Sequence, residues 1–293
     1  MPVNSFYIEK STCSQCGICE AVCPALVIEK LDDGSIDFNS NNLDLCLGCG
    51  QCMAVCKTKS VFAKGMNYAD DFFEITRADD FLSLLESRRS VRQFKHKPLC
   101  QEDLNKIINA ISNVPHGDAH HHVEITILNS REKIMEGIPL MSEFFDKLGK
   151  WLHNPFMRRI IKKRKGEATL NTLKNHLLPR IEKGVYQNFS DDYDGITRGA
   201  YTLMIFHAPY DSEEHVEDAF IMVSYASIAA HALGIGATIV GLVPAALNKS
   251  PELRKIYEIP DKHNSVISLI LGYPKYKYHR GIKRELKSVK IIS

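Results

Sequence analysis

Eight of the nine cysteines in this 293-residue chain lie between Cys13 and Cys56, and they lie there twice in the same order. Cys13, Cys16, Cys19 and Cys23 recur as Cys46, Cys49, Cys52 and Cys56, each displaced by 33 positions. Gly17 recurs as Gly50, and Ala21-Val22-Cys23 as Ala54-Val55-Cys56. An internal duplication of this kind decides a segment's architecture before any propensity argument begins. The opening residues Met1–Ser5 show no basic stretch leading into an apolar one, so the expectation is a chain without a secretory signal, in a reducing cytoplasm. Clustered thiols in that setting are metal ligands more often than a disulfide framework.

Cys-x2-Cys-x2-Cys places three thiolates on one tight loop, and a fourth ligand must then arrive from elsewhere. In the bacterial pattern Cys-x2-Cys-x2-Cys-x3-Cys-Pro, the fourth cysteine ligates the other of two iron–sulfur clusters. Structural zinc is the competing reading, but zinc sites usually arrange their ligands as two separated pairs rather than as two complete runs of four. Residues 4–66 thus resemble a bacterial-type ferredoxin with two [4Fe–4S] clusters. The resemblance implies one cluster on Cys13, Cys16, Cys19 and Cys56, and a second on Cys46, Cys49, Cys52 and Cys23. Pro24 fits the pattern, whereas Lys57 stands where the second proline belongs. Cys100 has no companion and is expected to be an ordinary buried or half-buried thiol.

Lys and Arg number 37 against 35 Asp and Glu, a balance that argues against a nucleic-acid binder. The average conceals two parts. Residues 1–66 carry five basic and seven acidic side chains, while the rest carry 32 and 28. The polar, acidic stretch at 67–74 marks a linker, taken as 67–77, before a larger domain over 78–293. Ala219–Asn248 holds no formal charge, yet Ser224, Ser227, His231, Thr238, Gly234, Gly236 and Pro244 interrupt it. It is expected to be a core helix, a turn and a strand, not a membrane span.

The larger domain alternates helical and strand patterns. Leu104, Ile107, Ile108 and Ile111 line one face of a helix, with Glu102-Asp103 in its first turn. Strands are expected at Val123–Leu128, Thr202–His207, Thr238–Val243 and Val266–Leu271. Between the first two, residues 132–183 form a mostly helical excursion. Arg88-Arg89-Ser90-Val91-Arg92 closes a helix that starts near Asp79, and guanidinium groups with a hydroxyl suit a phosphate. Pro115-His116-Gly117-Asp118, the segment Leu233–Gly241 and the basic run beyond Tyr273-Pro274 complete a second resemblance, to FMN-dependent nitroreductases over about residues 78–293. The fold expected of the whole is α+β: a small ferredoxin domain, then a nitroreductase-like sandwich with a mixed sheet flanked by helices.

That second resemblance implies roles. Arg88, Arg89, Ser90 and Arg92 hold the FMN phosphate, helped by Arg284 or, second, Arg280. Thr238, Ile239 and Gly241 lie beside the flavin ring. The family's Asn and Gln-Pro after the proline are absent; Ala119, His121 and His122 stand there. No catalytic side chain is nominated, because the chemistry belongs to the cofactors. The implied activity passes electrons from NAD(P)H or reduced ferredoxin, through the clusters and FMN, to a nitroaromatic or similar small conjugated acceptor. A homodimer is implied, with no nucleic acid and no membrane as partner. The alternative is a redox sensor or electron carrier with little flavin turnover. The basic run Arg158–Lys165 suits either a solvated helix face or a docking patch for an acidic carrier.

Overall fold

The computed structural model describes residues 5–74, 81–116 and 122–292, which form two compact units. One comprises described residues up to Arg89 together with those from Tyr276 onward; the other runs from Ser90 to Lys275.

The first unit is built on the duplication. Strand β1 (Tyr7–Ile8) leads to helix α1 (Ile18–Ala21) and the hairpin β2 (Ile28–Lys30) and β3 (Ile36–Phe38). Helix α2 (Gln51–Val55) and strand β4 (Val61–Phe62) follow, and β4 pairs antiparallel with β1. Helices of four and five residues cannot stand alone in water. They are held by a core of Ile8, Val27, Ile28, Ile36, Met53, Ala54 and Val61 that also includes Cys19 and Cys52. Within the expected linker, strand β5 (Phe72–Glu74) and the Tyr68 ring belong to this unit, with Phe72 in its core. Helix α3 (Phe81–Ser87) ends just before Arg88.

In the second unit, α4 (Gln101–Ser112) buries Leu104, Ile107 and Ile111, as their spacing demands. Strand β6 (Glu124–Leu128) precedes the excursion. This begins with α5 (Arg131–His153), whose first turn is capped by Ser130, the hydroxyl accepting from Lys133 N at 3.2 Å. Asn154 then caps α6 (Pro155–Lys165), with proline at its first position. Helices α7 (Glu167–Thr172) and α8 (Leu178–Glu182) and the hairpin β7 (Phe189–Ser190) and β8 (Tyr193–Asp194) return the chain to the sheet. Arg131 anchors that return: its guanidinium meets Asp194 at 2.9 Å, deeply buried, and also bonds Thr197 Oγ1 and the Asp191 carbonyl.

Strand β9 (Thr202–Pro209), helix α9 (His215–Ala232), strand β10 (Gly236–Val240), helices α10 (Leu242–Leu247) and α11 (Pro251–Ile256) and strand β11 (His263–Gly272) complete this unit. The four main strands are antiparallel in the order β10-β11-β9-β6. A parallel bridge between Ser90 and Ala237 at the β10 edge makes the arrangement mixed. Helices α4 and α9 cover one face over Met204, Phe206, Ile267, Leu269 and Leu271. Strand β9 is apolar along nearly its whole length because both of its faces are covered. The strand expected at Thr238–Val243 is shorter than its β-branched content suggests. It stops at Val240, where Gly241 caps a helix that Pro244 enters in its first turn.

The chain ends in the first unit. Strand β12 (Arg280–Ile282) pairs antiparallel with β5, Arg280 opposite Glu74. Among the described residues, no helix is long and apolar enough to cross a membrane.

Candidate functional site

The duplicated sequence produces duplicated backbone. Gln15 and Gly48, 33 positions apart, both sit in the left-handed region at φ 54° and 60°. So do Gly17 and Gly50, at 72° and 68°, the residues that cap α1 and α2. Glycine reaches that region without a Cβ clash. These turns curl each loop so that main-chain N–H groups face sulfur. Gln15 N donates to Cys13 Sγ at 3.4 Å, Val27 N to Cys23 Sγ at 3.4 Å and Ser60 N to Cys56 Sγ at 3.3 Å. Val27 and Ser60 are again 33 apart.

The thiols group in crossed sets. The nearest charged neighbours of Cys19 are Cys56, Cys16 and Cys13, while Cys46 faces Cys49 and Cys23. Cys52 faces Cys23, Cys49 and Cys46, and also feels Cys19 of the other set. A small cavity is lined by Cys23, Cys46, Cys49 and Cys52 together. Burial pushes the Cys19 thiol up to about 12 and raises Cys46 and Cys52, so these dry thiolates need a cation to hold them ionised. Cys56 goes the other way: burial raises it, but hydrogen bonds from Thr58, Ser60 and Val61 outweigh that and lower it. Tetrahedral zinc would draw four sulfurs to about 3.8 Å of one another, given its Zn–S bonds of about 2.3 Å. Among the described residues no three cysteine sulfurs lie within 4.8 Å of one another. An all-thiolate donor set at wider spacing fits an iron–sulfur cubane rather than a single ion. Cys100, expected to be at least half buried, is instead exposed, because it caps the surface end of α4.

A second feature of the same unit is cationic. Arg88, Arg89, Lys283 and Arg284 line an open cavity of about 760 Å³, with Phe73, Leu85, Ile282 and the carboxylate residues Glu86 and Glu285. Arg89 is 7% exposed, yet its Nε has no hydrogen-bond partner among the described residues. Its terminal nitrogen Nη2 donates to the Glu86 and Ile282 carbonyls, each at 3.3 Å. Burial, then Arg284 and Arg88, push its pKa down to about 10; burial and Arg284 lower Arg88 as well. Three guanidinium groups held against one another, one with an orphaned donor, fit an anion with several oxygens.

The remaining sequence-predicted residues are placed differently. Arg280 is not on this cavity: Nη1 donates to the Cys56 carbonyl at 2.6 Å, Nη2 to the Lys57 carbonyl at 3.4 Å and Nε to Glu74 at 3.1 Å. Ser90 and Arg92 belong to the second unit, Arg92 Nη1 donating to the Ser90 carbonyl at 3.3 Å. There, Thr238 Oγ1 donates to the Val91 carbonyl at 2.5 Å, tying β10 to the strand-like segment beside it. A Cβ on Gly236 would lie 2.6 Å from Val91 Cγ1, so this close approach requires glycine. Ile239 is 43% exposed, and a Cβ on Gly241 would meet nothing within 4 Å. Ala119, His120 and His121 lie outside the described residues.

Two polar features lie apart from these. No residue of α6 is buried, and among the described residues Arg159, Lys163, Arg164 and Lys165 form no ion pair. Glu124, His207 and His263 bring three ligand atoms within 4.8 Å. The two imidazoles, however, already share a hydrogen bond, Nδ1 to Nδ1 at 2.9 Å, and Thr126 Oγ1 meets the far nitrogen of His207 at 3.0 Å.

Comparison with known proteins agrees with both halves. No curated protein matches the chain in sequence. The family model for a 4Fe–4S dicluster domain matches residues 12–61. Among solved structures, the fold is similar to a nitroreductase with bound FMN from Bacteroides fragilis, at 18% identity, 73% of this chain, all of that one and a TM-score of 0.53. It is also similar to a nitroreductase with bound FMN from Desulfitobacterium hafniense, at 17% identity, 72% of this chain, 97% of that one and a TM-score of 0.50. The nitroreductase family model matches residues 85–273, most of the chain from the end of α3 to the end of β11, and the chain belongs to the nitroreductase family.

Proposed function

We propose that this chain is an iron–sulfur flavoprotein that carries electrons from NAD(P)H or reduced ferredoxin to a small conjugated acceptor such as a nitroaromatic. The observation that carries the reading is the presence of two crossed all-thiolate sets in the same unit as a three-arginine cavity. Cys13, Cys16, Cys19 and Cys56 hold one [4Fe–4S] cluster, and Cys46, Cys49, Cys52 and Cys23 the other. Arg88, Arg89 and Arg284 bind the FMN phosphate through charge-assisted bonds, and the orphaned Nε of Arg89 gains its partner there. In the second unit, Ser90, Arg92, Thr238, Ile239 and Gly241 are the positions that the nitroreductase resemblance assigns to flavin. When bound, FMN supplies the exchange between one-electron and two-electron transfer. The side chains of this protein bind, orient and insulate; none is required as a nucleophile.

The functional state is a homodimer in the cytoplasm, with the ferredoxin domain at 1–66 and the flavin domain at 78–293. Val216 and Phe220, one turn apart on α9, are 38% and 48% exposed, an apolar face suited to a second copy. The test is anaerobic purification followed by iron, sulfide and FMN analysis, with spectra during addition of NADH, NADPH or reduced ferredoxin. About eight irons and one flavin per chain are expected, bleached by one of these donors. A chain with one flavin but far fewer irons would overturn the two-cluster reading, and one with no flavin would favour the electron-carrier alternative.

A further inference from the structure

The duplication gives the two thiolate sets the same loops and the same main-chain donors, so differences between them stand out at positions 33 apart. Thr12, Thr58 and Ser60 correspond to Leu45, Ala25 and Val27. Three hydroxyls on one side are thus three apolar side chains on the other. The hydroxyls form a chain: Thr12 Oγ1 to Ser60 Oγ at 2.9 Å, Ser60 Oγ to Thr58 Oγ1 at 2.7 Å, and Thr58 Oγ1 to Cys56 Sγ at 3.6 Å. Their counterparts Ala25 and Val27 line the cavity of Cys23, Cys46, Cys49 and Cys52, with Pro24, Leu47 and Ala63. Gln51 also lines that cavity, and its carboxamide oxygen is buried without a donor among the described residues.

Charge breaks the symmetry in the same direction. Strand β12 carries Arg280 onto the main chain of Cys56, where the residue is 6% exposed and its guanidinium lies 5.5 Å from the Tyr68 ring centre. Glu74 offsets part of that charge from a mostly exposed position. The other set has Lys64, bonded to the Cys46 carbonyl at 2.8 Å, but its ammonium is exposed and therefore screened by solvent. Hydrogen bonds to cluster sulfurs and nearby positive charge both favour the reduced, more negative cluster.

We infer that Thr58 and Arg280 raise the reduction potential of the cluster held by Cys13, Cys16, Cys19 and Cys56 above that of its twin, so that the first electron delivered to the chain resides there. This rests on the two-cluster reading. Each cluster takes up one electron from the reductant, and no proton or bond change is required. Both residues are positioning residues: they touch Cys56, not substrate.

The test is low-temperature EPR of the anaerobic holoprotein poised at a series of potentials. Two separate reduction waves are expected. Thr58→Ala copies the twin's Ala25 at an exposed position, and it should lower the upper wave alone. Arg280→Gln should lower the same wave further, and Glu74→Gln, which removes the offsetting carboxylate, should raise it. If Arg280→Gln fails to fold, the other two variants still give opposite shifts. Two clusters reduced at one shared potential, or shifts that fall on the lower wave or on both waves, would overturn the inference while leaving the two-cluster reading intact. A wild-type chain without two cluster signals would overturn both.

Discussion

Replacing Arg89 by Met should make the flavin-free protein no less stable while weakening its hold on flavin, two effects of opposite sign. The magnitude follows from the burial of Arg89. Its pKa is pushed from 12.5 to about 10, so the folded state penalises the charged form at every pH below that range. At neutral pH the penalty is about 3 kcal/mol, from about 1.4 kcal/mol per pKa unit. Methionine keeps much of the apolar stem and removes the charge. It also removes two long hydrogen bonds, to the Glu86 and Ile282 carbonyls, worth about 1 kcal/mol each. The balance is a flavin-free protein more stable by about 1 kcal/mol. Against FMN, the lost charge-assisted bond is worth roughly 1.5–3 kcal/mol, a rise in Kd of roughly 10- to 150-fold. Thermal unfolding of the cluster-loaded protein with and without FMN, together with flavin-fluorescence titration, reads both numbers. Arg89→Lys, a point charge without the fork, should fall between. A variant that binds FMN as tightly as the parent, or whose flavin-free form loses more than about 2 kcal/mol, would refute the reasoning that the three arginines form a strained anion site.

Three further outcomes are expected. Cys56→Ser and Cys23→Ser should each cost about half of the iron, and the crossed sets require that Cys56→Ser spare the cluster on Cys46, Cys49 and Cys52; loss of that cluster instead would contradict the grouping. Burial, then His263 and Arg254, push His207 down to about 4, so it is neutral in the fold while an unfolded chain takes up a proton below about pH 6.5. Its contribution of about 3 kcal/mol is present above pH 6.5 and lost as pH falls toward 4, and His207→Gln should flatten that part of a stability–pH curve measured by urea unfolding. Arg131→Met leaves Asp194, 1% exposed, without its guanidinium partner, which should cost about 3–5 kcal/mol in thermal unfolding, much of it recovered in the double variant with Asp194→Asn.

What the sequence made legible was local or repeated. The eight clustered cysteines, their recurrence at an offset of 33 and the helix of Leu104, Ile107 and Ile111 all follow from periods that need no knowledge of distant contacts. The end of β10 was less accessible. Val240, Leu242 and Val243 all favour a strand, and only the geometry at Gly241 and the proline two residues into α10 decides for a helix. The arginine-lined cavity was half visible: Arg88 and Arg89 announce themselves by density of charge, but nothing local tells a solvated arginine from a buried one.

Arg280 shows why long-range pairing defeats a reading along the chain. Its place after a Gly-Tyr-Pro turn made it the second choice for the phosphate after Arg284, and an antiparallel pairing across some 200 residues puts it opposite Glu74 and against Cys56. The hydroxyls at Thr12, Thr58 and Ser60 were within reach of sequence alone. Once the repeat is aligned, three hydroxyls facing Leu45, Ala25 and Val27 are a chemical difference between otherwise matched halves, and an alignment restricted to the cysteines passes over it. A duplicated module can keep its ligands fixed and diverge only in what surrounds them. In this chain that divergence, together with the arginine carried in by the last strand, falls on Cys56, a thiol whose hydrogen bonds outweigh its burial.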